Sequence, residues 1–312
     1  MSSFPAKPAA THARAANPLL LAAADIKLSH SIFALPFAVL GAFLARTADA
    51  TGGWARFAQQ LALVIVCMVL ARTWAMMINR LADARIDADN PRTARRAIAS
   101  GRLAYRDGLL IAAAAAALFA AAASCFGWLF GNWWPAILAF PVLAWLAFYS
   151  FAKRFTLLCH VLLGSALACS PLAAAIAVDP SALSRTPALW WLAGMVVLWV
   201  GGFDVIYALQ DVDFDRSTGL HSIPSRLGPR AAIWLSRAMH AACAACLFIA
   251  ARSDPRLGTV FFVAAALATA LLILEHIILD RRGLAGLPMA FFTVNGVVSC
   301  VVGVLGVIDT LM

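Results

Sequence analysis

Hydrophobic residues occur along the chain in long runs that are separated by short polar segments. A helix that crosses a membrane needs about 20 mostly apolar residues. Nine runs approach this length, and they lie at about 30–46, 60–80, 108–126, 132–151, 157–178, 188–209, 231–251, 257–279 and 286–309. Because a helix satisfies its own backbone hydrogen bonds in lipid, this pattern predicts an all-α integral membrane protein with nine transmembrane helices.

The composition supports this fold class. The chain has 312 residues, of which 63% are hydrophobic and 12% are charged. A soluble protein of this length could not cover so much apolar surface. Residues 1–18 are rich in Ala, Pro and Ser and show no signal-peptide cleavage pattern. We therefore expect a disordered N-terminal tail at 1–18, followed by a single transmembrane domain at 19–312.

The net charge of +9 is unevenly distributed between the predicted loops. If the N-terminus lies inside, the odd-numbered loops carry only five basic residues, namely Arg46, Arg56, Arg185, Arg252 and Arg256. The tail and the even-numbered loops carry most of the others. This asymmetry follows the positive-inside rule and argues against a nucleic-acid partner. It predicts a multi-pass protein of the inner (cytoplasmic) membrane with a cytoplasmic N-terminus and an external C-terminus.

Two polar loops share a pattern of aspartates. The two segments are INRLADARID at 78–87 and IYALQDVDFD at 206–215. Asp83 aligns with Asp211, and Asp87 aligns with Asp215, whereas Asp213 would point to the opposite side of a helix. Each segment follows an even-numbered span. The match indicates an internal duplication that would place two acidic clusters across one shared cavity.

Residues four apart lie on nearly the same face of a helix, so the aspartates of each segment can act together. Several carboxylates at one place repel each other unless a cation lies between them. Mg²⁺ prefers oxygen ligands and often binds one or two carboxylates together with substrate phosphates. Solvated loop charges are the alternative for any one aspartate alone. The repeated spacing instead predicts a Mg²⁺ site formed by Asn79, Asp83, Asp87, Asp211 and Asp215.

Cations and a further carboxylate accompany these aspartates. Arg72 lies about two turns inside the second span, where a charge costs on the order of 2.5–3.5 kcal/mol, so it requires a partner or a water-filled cavity. Lys153 and Arg154 end the fourth span, where anchoring at the membrane surface is an equally weighted explanation. Asp204 lies two turns before the second aspartate pair and on the same face.

Metal-binding carboxylates beside basic side chains are typical of a diphosphate site. A site at the membrane surface that opens onto an apolar interior suits a polyprenyl diphosphate, which has a charged head and a hydrocarbon tail. We therefore predict an enzyme that ionises such a molecule. Arg72, Lys153 and Arg154 are the candidate diphosphate ligands, and Asp83 and Asp211 are candidate catalytic residues.

At this point the sequence resembles the UbiA superfamily of membrane prenyltransferases. The family motif N-x-x-x-D-x-x-x-D occurs at 79–87, and D-x-x-x-D occurs at 211–215. The surrounding segments GFDVIYALQDVDFDRSTGLHSIPSRLG (202–228) and NPRTARRAIASG (90–101) are similar to the 4-hydroxybenzoate polyprenyltransferase branch. The likeness extends from about Asp25 to the last span. It implies a nine-helix bundle around a central cavity, Mg²⁺ dependence, and prenyl transfer to the ring of a hydroxylated aromatic acid in ubiquinone or menaquinone biosynthesis.

The resemblance also implies a mechanism. Loss of diphosphate gives an allylic cation that the apolar cavity shields from water. A ring carbon of the phenol attacks this cation, and a base removes the ring proton. By its position, Asp204 is the catalytic candidate for orienting the phenol or accepting that proton.

The first helix departs from the 4-hydroxybenzoate branch. That branch typically has R-x-D-K-P-x-G here, whereas this chain has IKLSHSIFALPFAVLG at 26–41. The segment looks more like relatives in menaquinone routes, which prenylate a dihydroxynaphthoate. His30 is a candidate to bind the acceptor carboxylate, with a capping or interfacial histidine as the alternative.

A small-molecule transporter is the main alternative from another class, because internal duplication and intramembrane charge suit it. It predicts charges near the middle of the bilayer, whereas these charges crowd the cytoplasmic ends of the spans. A CDP-alcohol phosphotransferase would require a D-G-x-x-A-R signature that the chain lacks. Glu275 and His276, near the end of the eighth span, are interpreted as polarity of the membrane interface.

Overall fold

The computed structural model describes residues 17–25, 33–47, 52–287 and 289–312, and its regular elements are helices. In chain order they are α1 Pro18–Asp25, α2 Leu35–Ala45, α3 Gly53–Ala82, α4 Ala84–Asp89, α5 Tyr105–Phe130, α6 Trp134–Ala152, α7 Cys159–Val178, α8 Ala182–Arg185, α9 Ala188–Tyr207, α10 Val212–Thr218, α11 Ile223–Leu227, α12 Pro229–Ser253, α13 Thr259–Arg282 and α14 Asn295–Leu311. Short 3₁₀ turns occupy Ala208–Asp211 and Gly283–Gly286, and a π-helical turn, Met289–Val294, leads into α14.

Eight helical stretches in the described residues are long and apolar enough to cross a membrane. The predicted fold class, an all-α integral membrane protein, is therefore confirmed. The first predicted span corresponds to α2, which has only 11 residues and begins next to Pro36, a residue that is tolerated in the first helical turn. Residues 1–16 and 26–32 lie outside the described part of the chain, so the predicted tail stays a prediction up to Pro18, where α1 begins.

Helix α9 lies at the centre of the bundle. Of its most apolar stretch, 67% is buried within the protein, compared with 17% for α3. It packs against both α7 and α12. Its fully buried Trp199 contacts the rings of Phe37 and Phe203. The helix that leads into the second aspartate pair is thus fixed by protein on most sides.

Small residues let α7 approach its neighbours closely. A Cβ atom at Gly164 would lie 2.4 Å from the carbonyl oxygen of Val197 in α9. A Cβ atom at Gly41 of α2 would lie 2.3 Å from the carbonyl oxygen of Pro171 in α7. Close backbone contact is a main source of helix association in membranes, so these glycines fix the spacing of α2, α7 and α9.

Both aspartate segments begin where a long helix breaks. Helix α3 ends at Ala82, and Asp83 has φ −93° and ψ 4°. The 3₁₀ turn after α9 ends at Asp211, which has φ −109° and ψ 8°. The chain then resumes as α4 or α10. The backbone N–H of Asp87 still donates to the carbonyl oxygen of Asp83 at 2.7 Å, so the four-residue spacing survives the break. The shared local geometry agrees with an internal duplication.

The long helices run alternately between two ends of the bundle. One end, which we call the acidic end, gathers the loops 83–104, 153–158 and 208–228 around both aspartate segments. At the opposite end, a pocket of about 480 Å³ is lined by residues from the other set of loops, including Arg46, Arg185 and Arg256.

Candidate active site

A cavity of about 980 Å³ opens at the acidic end and extends into the bundle. Its charged lining consists of six aspartates and six basic residues: Asp25, Asp83, Asp87, Asp204, Asp211, Asp215, Arg72, Arg80, Arg92, Arg95, Arg96 and Lys153. The deeper walls come from apolar residues of α3, α5, α6 and α7. Helix α3 lines the cavity from Asp83 to Val64, about 28 Å at 1.5 Å per residue. The cavity therefore joins a charged mouth to a long apolar interior.

Asp83 is held by the end of α6. Only 1% of the residue is exposed. Lys153 Nζ lies 2.6 Å from Oδ2, and Arg154 Nη2 lies 3.0 Å from Oδ1. Arg154 also donates to the carbonyl oxygen of Ala82 at 2.7 Å, and Asn79 Nδ2 donates to Asp83 at 3.4 Å. The structure thus brings together four of the predicted site residues, and anchoring at the membrane surface alone does not describe Lys153 and Arg154.

Asp87 is held from the following loop. Arg96 Nη1 donates to both carboxylate oxygens at 2.8 Å. The hydroxyl of Thr93 donates to the carbonyl oxygen of Asp87 at 3.1 Å. Asp87 itself is buried but still lines the cavity. The segment 90–96 therefore folds back over the first aspartate segment.

The same loop connects the two aspartate segments to each other. Asn90 Nδ2 donates to Asp211 Oδ1 at 2.9 Å, and Arg92 binds both oxygens of Asp211. Arg92 also donates to the hydroxyl of Tyr207 at 3.0 Å. Burial opposes the charge on the guanidinium, but hydrogen bonds and the negative charge of Asp211 raise the pKa of Arg92 above its ordinary value. The two segments are thus linked through Asn90 and Arg92 of this loop.

The other two aspartates of the second segment lie on opposite sides of the chain, as their spacing predicts. Asp215 is buried and lines the cavity. Asp213 is exposed and is absent from the lining. Its side chain faces away from the cavity, which makes it a natural control position.

Deeper in the cavity lie Arg72 and Asp204. Arg72 lines the wall on α3, two turns from Asn79 and beside Tyr149. Asp204 lines the wall on α9, and its Oδ2 lies 2.7 Å from Nδ1 of His160. Both charges inside the spans therefore face the cavity rather than lipid.

The cavity mouth is also tied to the N-terminal helix. Asp25 at the end of α1 accepts from Arg80 Nε at 3.1 Å and from the backbone N–H of Ala97 at 2.7 Å. Arg80 in turn donates to Asn79 Oδ1 at 3.0 Å. Helix α1 is thereby joined to the first aspartate segment and its loop.

The donor atoms suit Mg²⁺ that is shared between protein and substrate. Among the described residues, no three His, Cys, Asp or Glu side chains converge as a single-ion site. Mg²⁺ usually takes only one or two carboxylates and completes its shell with phosphate oxygens and water. Asn79 and the four aspartates supply hard oxygen donors on two sides of one cavity. The arrangement fits an ion bound jointly with a diphosphate.

Sequence reasoning missed several residues that contact the predicted ones. Asn90, Arg92 and Arg96 lie in a segment that was singled out only for its resemblance. The signal that could have identified them was their position directly after the first aspartate segment. His160 gave no metal-ligand spacing, and its link to Asp204 spans 44 positions. The predicted acceptor ligand, His30, lies outside the described residues and stays a prediction.

A second polar cluster lies outside the cavity, where α9, α12, α13 and α14 meet. We call it the closed cluster, and it consists of Trp199, His240, Glu275, His276 and Asn295. Asn295 Nδ2 donates to Glu275 Oε1 at 3.0 Å, and Trp199 Nε1 donates to Asn295 Oδ1 at 2.6 Å. Nδ1 of His240 lies 3.1 Å from Nε2 of His276. Glu275 and His276 are buried between helices, so their interpretation as interface polarity was wrong.

Named relatives include two kinds of prenyltransferase. A 4-hydroxybenzoate octaprenyltransferase of Pseudomonas fluorescens is 30% identical over 162 residues, which is 52% of each chain. A protoheme IX farnesyltransferase of Thermus thermophilus is 31% identical over 237 residues, 75% of this chain and 37% of the relative. The chain spans about half the length of the first of these curated relatives. These matches therefore indicate a class of enzyme more firmly than a particular acceptor.

Solved structures share the fold. The apo structure of a UbiA homolog from Aeropyrum pernix K1 is 33% identical with a TM-score of 0.79, over 91% of this chain and 99% of that one. A UbiA homolog from Archaeoglobus fulgidus, bound to GPP and Mg²⁺, has a TM-score of 0.67 at 18% identity, over 94% of this chain and 100% of that one. The second likeness supports the fold alone.

The match to a family agrees with these likenesses. The family described as the UbiA prenyltransferase family covers residues 34–297. That range includes both aspartate segments, the charged lining apart from Asp25, and most of the apolar interior. The predicted resemblance to this family is thereby confirmed. The chain belongs to the UbiA prenyltransferase family.

Proposed function

We propose that this protein transfers a prenyl group from a prenyl diphosphate to a ring carbon of a hydroxylated aromatic acid, with Mg²⁺ as cofactor. One observation carries the proposal. Two aspartate segments, linked by Asn90 and Arg92, face a single cavity that is charged at its mouth and apolar in its depth. This geometry matches a substrate with an anionic head and a long hydrocarbon tail.

The head group would bind at the acidic end. Asn79, Asp83, Asp87, Asp211 and Asp215 would hold Mg²⁺, which neutralises charge on the diphosphate and makes it a better leaving group. Basic side chains that now bind these aspartates would turn to the diphosphate: Arg92, Arg96 and Lys153 line the cavity, and Arg154 binds Asp83 behind its lining. With Arg72 below them, they provide preorganised positive charge where negative charge develops as the C–O bond breaks.

The prenyl tail would lie along the apolar interior. Its walls exclude water, so an allylic cation formed at the mouth is protected from hydrolysis. Phe33, Phe203 and Phe292 line this region and can stabilise positive charge through their ring faces. The length of cavity wall on α3 suits a chain of several isoprene units.

The acceptor would enter beside Asp204. This carboxylate lines the cavity two turns before Asp211, between the diphosphate region and the aromatic walls. It can orient the phenol or accept the proton that the ring loses. A 4-hydroxybenzoate-type acid is the preferred acceptor, as in the named Pseudomonas relative. A dihydroxynaphthoate is the alternative, because the segment around His30 departs from the 4-hydroxybenzoate pattern.

The membrane placement is also proposed. The basic loops at the acidic end would lie in the cytoplasm, in the inner membrane of a bacterium, with the diphosphate entering from that side. Nine crossings place the C-terminus outside. A C-terminal alkaline phosphatase fusion should then be active and a C-terminal green fluorescent protein fusion dark, and the reverse result would contradict this topology.

The test supplies purified membranes with 4-hydroxybenzoate or 1,4-dihydroxy-2-naphthoate, each with geranyl diphosphate and Mg²⁺. Mass spectrometry of the lipid extract then identifies the acceptor. We expect one prenylated product, its loss with EDTA and its recovery with added Mg²⁺. Absence of product with both acceptors, or product formation that is indifferent to chelation, would overturn the proposal. Energised uptake of either acid without chemical change would favour a transporter instead.

A further inference from the structure

We propose that His160 is a positioning residue for proton removal: its ring holds the Asp204 carboxylate in the orientation needed to take the ring proton of the acceptor. The inference rests on the proposed function, because it assigns a step within the same transfer reaction. It concerns a residue whose place in the sequence gave no sign of a role.

The hydrogen bonds of the imidazole define its tautomer. The backbone N–H of Ile223 donates to Nε2 of His160 at 3.2 Å. Nε2 therefore presents its lone pair, and Nδ1 is the ring nitrogen left to donate. Nδ1 lies 2.7 Å from Asp204 Oδ2, so it donates to that oxygen. The hydrogen bond from Ile223 to one ring nitrogen thus determines that the other nitrogen donates, as is common for histidine.

The position of His160 makes this contact rigid. The ring is in the first turn of α7 with only 3% of the residue exposed. Its two hydrogen bonds join α7 to Asp204 in α9 and to Ile223. Ile223 is the first residue of α11, which follows the second aspartate pair. Asp204, in contrast, keeps 24% of its side chain exposed and lines the cavity. A buried ring therefore presents a carboxylate that solvent or substrate can reach.

Among the described residues, Asp204 differs from most of the cavity carboxylates because it forms no ion pair with Lys or Arg. Four other cavity carboxylates are bound by Lys or Arg, namely Asp25, Asp83, Asp87 and Asp211. A cationic partner favours the ionised carboxylate and makes it a weaker base. Within the described residues, the imidazole of His160 contacts Asp204 at Oδ2, which leaves Oδ1 for the substrate. Asp215, the remaining carboxylate, belongs to the metal-binding segment.

The step balances without any further reactant. A ring carbon next to the phenol oxygen forms a bond to C1 of the prenyl group, while the C1–O bond breaks and its electron pair leaves with diphosphate. The proton on that ring carbon then passes to Asp204 Oδ1, and its bonding pair restores the aromatic ring. His160 keeps its own proton throughout, and its donation to Oδ2 keeps the carboxylate aimed at the ring carbon before the transfer.

Two isosteric replacements separate the donor from the acceptor function of the ring. In His160→Asn, the amide nitrogen lies where Nδ1 was and can still donate to Asp204. In His160→Gln, the longer side chain reaches the place of Nε2 and can accept from Ile223, but the donor to Asp204 is lost. The probe is 4-hydroxybenzoate deuterated at both ring carbons next to the hydroxyl, with geranyl diphosphate and Mg²⁺, compared with undeuterated 4-hydroxybenzoate.

We expect Asp204→Asn to lower kcat by about 10²-fold or more, the usual contribution of a positioned base. His160→Gln and His160→Ala should lower kcat by on the order of 10-fold with little change in KM for geranyl diphosphate, and His160→Asn should recover part of that loss. The deuterium isotope effect on kcat should be near unity in the wild type and should rise in His160→Gln. This ratio does not depend on how much enzyme is folded.

The inference would be overturned if His160→Gln kept the isotope effect of the wild type, or if His160→Asn and His160→Gln lost activity equally. A further reduction by His160→Ala in the Asp204→Asn background would also overturn it, because His160 would then act other than through Asp204. The proposed function fails separately: in that case the wild-type protein gives no prenylated product at all.

Discussion

Two polar clusters lie within the hydrophobic bundle, and they differ in what surrounds them. The charged lining at the acidic end combines six aspartates with six basic residues around a cavity of about 980 Å³. The closed cluster places Glu275, His240 and Asn295 between four helices, and none of its five residues lines that cavity. Both clusters contain buried ionisable groups, so burial of such a group does not by itself identify a reaction site.

The difference lies in how each cluster is satisfied. At the acidic end, charge is balanced by opposite charge, and the side chains of Arg92 and Lys153 remain about one third exposed. Such pairs can exchange partners when an anion enters. In the closed cluster most groups bind each other through direct hydrogen bonds, including the pair between Trp199 and Asn295, while Glu275 Oε2 and His276 Nδ1 form none within the described residues. Polar groups in that setting stabilise the packing of helices and fix their register.

The largest expected effect is the loss of an aspartate that faces the cavity. Asp211→Ala removes both a metal ligand and the carboxylate that binds Asn90 and Arg92. We expect prenyl transfer to fall by about 10³-fold or more. Without this ligand, the Mg²⁺ that balances the negative charge developing on the diphosphate would be bound poorly. The measurement is radiolabelled prenyl transfer in detergent with Mg²⁺. Asp213→Ala, two positions away on the exposed side, is the matched control and should retain wild-type turnover.

A smaller effect is expected at Arg92. Arg92→Gln removes a charge-assisted contact of the kind that contributes about 1.5–3 kcal/mol, and it leaves Asp211 and Tyr207 without their shared donor. Apparent KM for geranyl diphosphate should rise by roughly 10-fold to 100-fold, the equivalent of that energy. Arg106→Gln, at the exposed start of α5, serves as control. If KM were unchanged in Arg92→Gln, the connecting loop would have no part in binding geranyl diphosphate.

The closed cluster should respond in stability rather than in activity. Glu275→Ala removes the buried hydrogen bond from Asn295 Nδ2, and the net contribution of such a bond to stability is about 0.5–1.5 kcal/mol. The melting temperature in detergent should fall, while turnover per folded molecule stays near that of the wild type. Glu275→Gln keeps an acceptor oxygen for Asn295 and should lose less stability. Loss of turnover without loss of stability would instead give the closed cluster a role in the reaction.

The smallest effect is expected at the opposite end of the bundle. Arg185 forms an exposed ion pair with Asp179, and exposed pairs contribute within about 1 kcal/mol. Arg185→Gln should therefore leave both the melting temperature and prenyl transfer nearly unchanged. A large loss of transfer would show that the end remote from the cavity takes part in the reaction.

Most of the fold was predictable because its information is local. Runs of about 20 apolar residues specify membrane helices one at a time, and each of the last eight predicted runs corresponds to a long helix. The central position of α9 was not predictable, since it depends on the close contacts that Gly164 permits with Val197. How α2 sits in the membrane was not predictable either, because its 11 residues are too few to cross it alone.

Part of the site was predictable for a similar reason. The four-residue spacing of Asp83 and Asp87 predicted the metal ligands of the first segment, and the same spacing from Asp211 predicted those of the second. The partners of these residues come from other elements: Lys153 lies 70 positions from Asp83, and Arg92 lies 119 positions from Asp211. The packing of the helices brings such pairs together, so the spacing within each aspartate segment could not show which residue binds which.

The central claim is that both aspartate segments form one site for a magnesium diphosphate. The most direct measurement is a calorimetric titration of the purified protein with geranyl diphosphate, with and without Mg²⁺. We predict a single Mg²⁺-dependent binding event in the wild type that is lost in Asp83→Ala and equally lost in Asp211→Ala, with Asp213→Ala unaffected. Binding at wild-type affinity in either aspartate variant would contradict the account, because the remaining segment would then hold the diphosphate alone.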